Sequence, residues 1–141
     1  MENISIKHYI NAIKFYLSGF LVLSLFMILL PIIDNSFWLL YLFIMGFLFI
    51  IILPFVIFGV IYLYKAKKAL GNKLEIGRVV GFETGFSIIP VPRLALKLKT
   101  NDGRILITNS VISSKQYEII KKHEIQVAVN KKNKVYIIMA L

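Results

Sequence analysis

The sequence has no cysteine, so it can form no disulfide and no thiolate metal site, and redox chemistry gives no clue to its compartment. Acidic residues are also scarce, with 7 Asp and Glu against 17 Lys and Arg. They are too scattered for a paired-carboxylate active site or a calcium-binding loop. Only two histidines are present, His8 and His123, well apart in sequence. Both read as lone, exposed, solvated side chains with no metal or catalytic role. The glycines form neither G-x-G-x-x-G nor a phosphate-binding loop. Ser110, Ser113 and Ser114 cluster, yet no acid or base has recognisable spacing to them. These absences argue against an enzyme, and nothing in the pattern calls for a cofactor or a metal.

Charge is missing altogether from most of the first half. Asp34 is the only charged residue between Lys14 and Lys65. It separates two uncharged stretches, the 19 residues from Phe15 to Ile33 and the 28 from Phe37 to Tyr64. As helices these would measure about 28 and 42 Å, against a hydrocarbon core of roughly 30 Å. The spacing predicts a membrane hairpin turning at Asp34, Asn35 and Ser36, in a segment comprising residues 15–68. A cleaved signal peptide fits poorly, because the run is long, no A-x-A site follows it and a second span begins almost at once. The second stretch exceeds the bilayer, so Ile61 to Lys68 should project as a stalk, with a kink possible at Pro54. Gly46 and Gly59 allow close helix contact. Ser18 and Ser24 are expected to bond their own helix backbone. The spans contain no ionisable group of the kind that ion transport usually needs at mid-depth.

Within residues 1–14, Ile6, Tyr9, Ile10 and Ile13 recur at helical spacing, and Leu17 continues the series. This predicts an amphipathic segment in the inner interface, or else a solvated extension of the first span.

Lys7 and Lys14 balance Glu2 and Asp34, so the whole net charge of +10 lies after Tyr64. By the positive-inside rule both termini face the cytosol of a cell membrane and the Asp34–Ser36 loop faces outward. Trp38 and Tyr41 would then sit at the outer interface, and Tyr16, Tyr62 and Tyr64 at the inner one. Lys65, Lys67, Lys68 and Lys73 are placed to meet anionic lipid headgroups.

From Gly71-Asn72 onward the apolar period becomes two, the mark of strands, and predicts a basic β domain over residues 71–141. In the first strand Leu74, Ile76, Val80 and Phe82 are expected inward, with Lys73, Glu75, Gly77, Gly81 and Glu83 opposite. In the second, Leu94, Leu96 and Leu98 are inward and Arg93, Lys97 and Lys99 outward. Asn101-Asp102-Gly103 forms a hairpin turn, and a third strand runs from Ile105 to about Ile112. Ser113 and Gln116 have capping-box spacing for a helix of about Ser114 to Lys122, and Ile112 and Tyr117 that of a hydrophobic staple. Two strands follow, from Ile125 to Val129 and from Lys134 to Met139.

The order β-β-β-α-β-β resembles that of the OB-fold, a small five-stranded barrel with its helix after strand three. Gly77 and Gly81 would let strand one bend as closure requires. An SH3-like barrel and a PH-like sandwich stay open. A hairpin followed by such a barrel resembles the NfeD-like group of bacterial membrane proteins. The motifs G-R-V-V-G at Gly77–Gly81 and L-K-T-N-D-G-R at Leu98–Arg104 resemble those of small barrels in uncharacterised bacterial membrane families. The resemblance implies an anchored interaction module with no catalytic residues to carry over.

Two further features bear on partners. Phe86, Ile88, Ile89 and Val91 lie in an unusually apolar loop that could cover the domain's core, dip into the bilayer or dock a partner. Arg93, Lys97, Lys99 and Arg104 form a basic patch. Nucleic acid is disfavoured as its ligand, because strands two and three carry no aromatic ring on which a base could stack. The reading is therefore a non-catalytic membrane protein that works through another membrane protein and anionic lipid, as an accessory, scaffold or immunity-type subunit. A small homo-oligomeric channel or transporter component is the principal alternative, and a membrane-tethered nucleic-acid-binding barrel the other.

Overall fold

The computed structural model describes residues 3–130 and 132–141, with Phe86 represented by its backbone alone. Helix α1 spans Ile4–Met27 and begins where the Asn3 side chain accepts a hydrogen bond from the Ile6 N–H at 3.0 Å. After Ile28 the helical path resumes as α2, Leu29–Ile33. Pro31 lies in this short piece and has no N–H to donate to the Met27 carbonyl, which accounts for the interruption. The Asp34 carboxylate accepts from the Ser36 N–H at 2.9 Å and starts a 3-10 turn at Asn35–Phe37. Helix α3 then runs without a break over Trp38–Ala69, through Pro54 and on through the expected stalk.

The two long helices meet along a seam of paired side chains. Tyr9 stacks on Tyr62 with ring centroids 5.6 Å apart, Tyr16 on Phe55 at 5.1 Å, and Phe20 meets Phe49 edge-on at 5.9 Å. Between the first two pairs Ile13 presses on Gly59, where an added Cβ would come within 2.7 Å of it. Gly46 has open space around it and plays no such part. Positions 9, 13, 16, 20 and 24 follow the three-and-four spacing of one helix face. Ser24 departs from expectation: its hydroxyl bonds the Tyr41 hydroxyl across the seam at 3.1 Å, whereas Ser18 does bond its own backbone at Phe15.

Both helices are long and apolar enough to cross a membrane, and only 6% and 11% of their most apolar stretches are buried. Ile33 and Leu39 are each more than four-fifths exposed. A core helix of a water-soluble protein would hide such a surface.

The rest of the chain forms one five-stranded antiparallel sheet in the order β3-β2-β1-β4-β5. Its strands are β1 (Lys73–Phe86), β2 (Pro92–Thr100), β3 (Ile105–Ile107), β4 (Glu124–Val129) and β5 (Val135–Ala140). Helix α4, Ser114–Ile120, carries the full capping box between Ser113 and Gln116. Leu94, Leu96 and Leu98 are buried as the alternation requires, together with Ile112, Ile125, Val127, Val135 and Ile137. Gly103 takes the positive φ of 82° that its turn demands.

Three expectations fail. The alternation in β1 does not hold, because the register slips between Val79 and Gly81. The extra residue exchanges the two faces of the strand at that point. Glu75, Gly77 and Val79 therefore share a face with Val127, Ile125 and Leu98, while Leu74 and Ile76 are exposed on the other. Val80, at the bulge, is exposed too; past it Phe82 sits opposite Leu96 and meets the Tyr117 ring at 4.9 Å, yet remains 46% exposed. The third strand is also far shorter than expected. At Thr108 the side-chain hydroxyl accepts the Leu96 N–H at 2.9 Å in place of a ladder carbonyl, regular pairing stops, and the chain meets β2 again only at the antiparallel bridge of Ile112 with Leu94. Finally, the sheet is not closed into a barrel. Its outer strands approach each other at a single parallel bridge, Thr108 to Val135, where the Asn109 N–H donates to the Val135 carbonyl at 3.1 Å.

Candidate site at the junction of hairpin and β domain

The β domain is docked on the hairpin. Tyr9, Ala66 and Ala69 belong to one buried cluster with the sheet's core residues, and Ala128 and Tyr136, paired with each other, alternate with the Val127–Ile137 pair along β4 and β5. Tyr9 is only 3% exposed, and its hydroxyl accepts a hydrogen bond from Asn109 Nδ2 at 3.0 Å. His8 and Tyr16 on the same helix hold the loop after β1. The His8 Nε2 and Ser87 Oγ lie 2.5 Å apart, and the Tyr16 hydroxyl donates to the Ile88 carbonyl at 2.5 Å. His8 is thus buried and engaged, which corrects its reading as a solvated side chain; the lone-residue logic of the sequence could not see a partner 79 positions away. His123 is exposed, as expected, and its Nδ1 lies 3.0 Å from the Leu141 carbonyl oxygen.

Beneath this clasp lies a cleft of about 580 Å³. Tyr9, Phe55, Phe58 and Tyr62 form its helical wall, and Glu83, Ser87, Thr108, Asn109 and Ser110 contribute a polar wall from the domain. Ile88, Ala95 and Ile107 complete the lining. One side of the cleft is aromatic and the other offers hydroxyls, an amide and the Glu83 carboxylate, which is paired with Lys97, so its chemistry suits an amphiphile. No group of three or more metal-ligating side chains occurs among the described residues.

The apolar loop serves mainly as part of this clasp. Ile88 packs against the buried core and Ile89 is half-buried, while Val91 is exposed; the Phe86 side chain lies outside the description. The basic patch is divided. Lys97 pairs with Glu83 at 2.7 Å. Arg104 bonds both oxygens of Glu75 at 3.1 and 3.2 Å, and Asp102 at 2.7 Å. The Asp102 carboxyl is held below the ordinary carboxylate range by the Thr100 hydroxyl and then by Arg104. Lys99 is exposed, and Arg93 is half-buried with an unpartnered Nε.

Of the four lysines beside the second span, Lys73 pairs with Glu75 at 3.2 Å, and the Lys65 ammonium lies 5.6 Å from the Tyr62 ring centroid. Lys67 and Lys68 are exposed. The clasp of His8, Tyr9 and Tyr16 carries no local motif, and the one available signal was the helical recurrence that places Ile6, Tyr9 and Ile13 together. Comparison with protein-family models, with curated proteins and with solved structures gave no match.

Proposed function

We propose that this chain is a two-pass protein of a bacterial cell membrane that acts by binding and carries out no reaction. In this reading both termini are cytosolic, and the hairpin meets another membrane protein within the bilayer. The basic β domain engages anionic lipid and the cytosolic part of the same partner. The role is that of an accessory, scaffold or immunity-type subunit. The observation that supports it best is the burial of Tyr9 between the hairpin and the sheet. A domain fixed in this way presents one continuous surface from lipid to cytosol.

The domain is read as OB-like. The strand order, the helix between β3 and β4, and the approach of β3 to β5 support that assignment. The NfeD-like resemblance fits the same layout.

The test uses a photo-crosslinking amino acid at Phe43, which is 74% exposed on α3. In native membranes the expected product is one adduct with a different membrane protein, and the detergent-solubilised chain alone should have the mass of a monomer. A ladder of homo-oligomers would overturn this reading in favour of the channel component.

A further inference from the structure

Lysines distant in sequence converge where α3 ends. A groove of about 430 Å³ lies between the last turns of α3 and the turn joining β4 to β5. Tyr64, Lys65, Lys68 and Asn72 line it from the hairpin, and Asn130, Lys132 and Lys134 from the domain. Four lysines thus line one concavity. No carboxylate appears in its lining, and among the described residues none of the four is in an ion pair. By contrast, Lys73 is satisfied by Glu75 and Lys97 by Glu83. The positive-inside rule accounts for Lys65 and Lys68 beside a span. It does not account for Lys132 and Lys134, brought beside them by docking of the sheet.

The groove is built to a fixed shape. The Asn130 side-chain oxygen accepts the N–H groups of Lys132 and Lys134 at 2.8 and 3.0 Å, and the Asn130 N–H donates to the Lys134 carbonyl at 3.0 Å. Lys65 and Lys68 are three apart on one helix face. Tyr64, an aromatic residue of the kind that sits at membrane interfaces, lies at the groove's edge. If the hairpin spans as proposed, this places the groove at the depth of the inner-leaflet headgroups. Like charges gathered without a counterion favour an anion that can accept several hydrogen bonds at once, and a phosphate ester does so.

We propose that the groove is a binding site for the phosphate of an anionic phospholipid, contacted by Lys65 and Lys68 from the hairpin and by Lys132 and Lys134 from the domain. This rests on the membrane-hairpin reading and goes beyond the general attraction of a basic surface to an acidic leaflet. It assigns a second role to the docking of the two units, because only their junction assembles the site.

The test is native mass spectrometry of the full chain released from vesicles of phosphatidylcholine with phosphatidylglycerol. The protein should retain phosphatidylglycerol in preference to phosphatidylcholine. Lys132→Gln with Lys134→Gln should reduce that retention roughly tenfold or more, from two lost headgroup contacts. Lys115→Gln with Lys122→Gln, an equal loss of charge at exposed positions that line no part of the groove, should change it less than about twofold, because exposed charges are screened by salt. Lys132→Arg with Lys134→Arg should restore retention and so control for folding. Equal losses in the two glutamine pairs, or no preference for phosphatidylglycerol, would overturn the site. Titration of the protein in phosphatidylcholine vesicles with glycerol phosphate addresses the source of the anion. Saturation by the soluble ester as tight as by lipid would overturn a lipid ligand. Alkaline carbonate washing separates the two levels of the argument. A chain that stays in washed membranes without lipid preference refutes the groove alone, and a chain that washes off refutes the hairpin too.

Discussion

Tyr9→Ala is expected to release the β domain from the hairpin at a cost of about 3–5 kcal/mol, the range for truncating a buried aromatic side chain. Three interactions vanish together: burial against Ala66, Ala69 and Tyr136, the stack on Tyr62, and the hydrogen bond from Asn109. Hydrogen exchange should report it as lost protection at Ala128 and Tyr136, with protection at Leu96 and Leu98 retained, since β2 is paired with β1 on one side and with β3 on the other. Tyr9→Phe provides the graded comparison. It keeps the ring and removes one hydroxyl, so the loss should be the single Asn109 hydrogen bond, about 0.5–1.5 kcal/mol. If Tyr9→Ala left exchange unchanged throughout, the docking would contribute nothing and the proposed continuous surface would lose its basis.

The second large effect is expected at Leu98. This side chain is fully buried, sits opposite Val79 on β1 and Leu106 on β3, and lies beside Gly77, where an added Cβ would come within 3.1 Å of it. Leu98→Ala should cost about 2–5 kcal/mol, which is a large part of the roughly 4–10 kcal/mol available to a domain of this size. The urea midpoint of the β-sheet signal should fall sharply, or the domain should fail to fold. Leu74→Ala offers the contrast. Simple alternation places Leu74 inside, but the bulge leaves it exposed, so its truncation should shift stability by no more than about 0.5 kcal/mol. A loss at Leu74 as large as that at Leu98 would contradict the register described above.

That contrast shows what the sequence conveys about this fold and what it does not. The hairpin was legible because its signal is cumulative: long uncharged runs interrupted at Asp34. The boundary at Gly71-Asn72, the buried series Leu94, Leu96 and Leu98, the turn at Gly103 and the cap at Ser113 were legible because each is a local rule applied to adjacent residues. The bulge at Val79–Gly81 was not. A slip of one residue leaves the apolar content of β1 unchanged and alters only which face it meets. Thr108 ends β3 early with a side-chain oxygen standing in for a carbonyl, and nothing in its neighbours marks that substitution.

The candidate site was less legible than the fold. Its residues come from widely separated segments, among them His8, Tyr9 and Tyr16; Phe55, Phe58 and Tyr62; Ser87 and Ile88; and Thr108 to Ser110. No spacing rule links a helix at the start of the chain to loops some 80 to 100 positions later. The four-lysine groove was half visible. Lys65 and Lys68 stood out beside a span, but Lys132 and Lys134 looked like an ordinary polar turn until the sheet brought them alongside. The pairing within the basic patch was not visible in the sequence. Lys97 and Arg104 stand out as charges, yet Glu83, Glu75 and Asp102 meet them.

The central claim is that lipid surrounds the two long helices and that the β domain lies on the cytosolic side. Because the chain has no native cysteine, a single introduced thiol reports its own location without interference. Ser36→Cys and Ser114→Cys, both at exposed positions, should be treated with a membrane-impermeant maleimide on intact cells and again after permeabilisation. The account predicts that the thiol at position 36 reacts on intact cells, while that at 114 reacts only once the membrane is opened. Reaction at 114 on intact cells, or protection of 36 until permeabilisation, would contradict it.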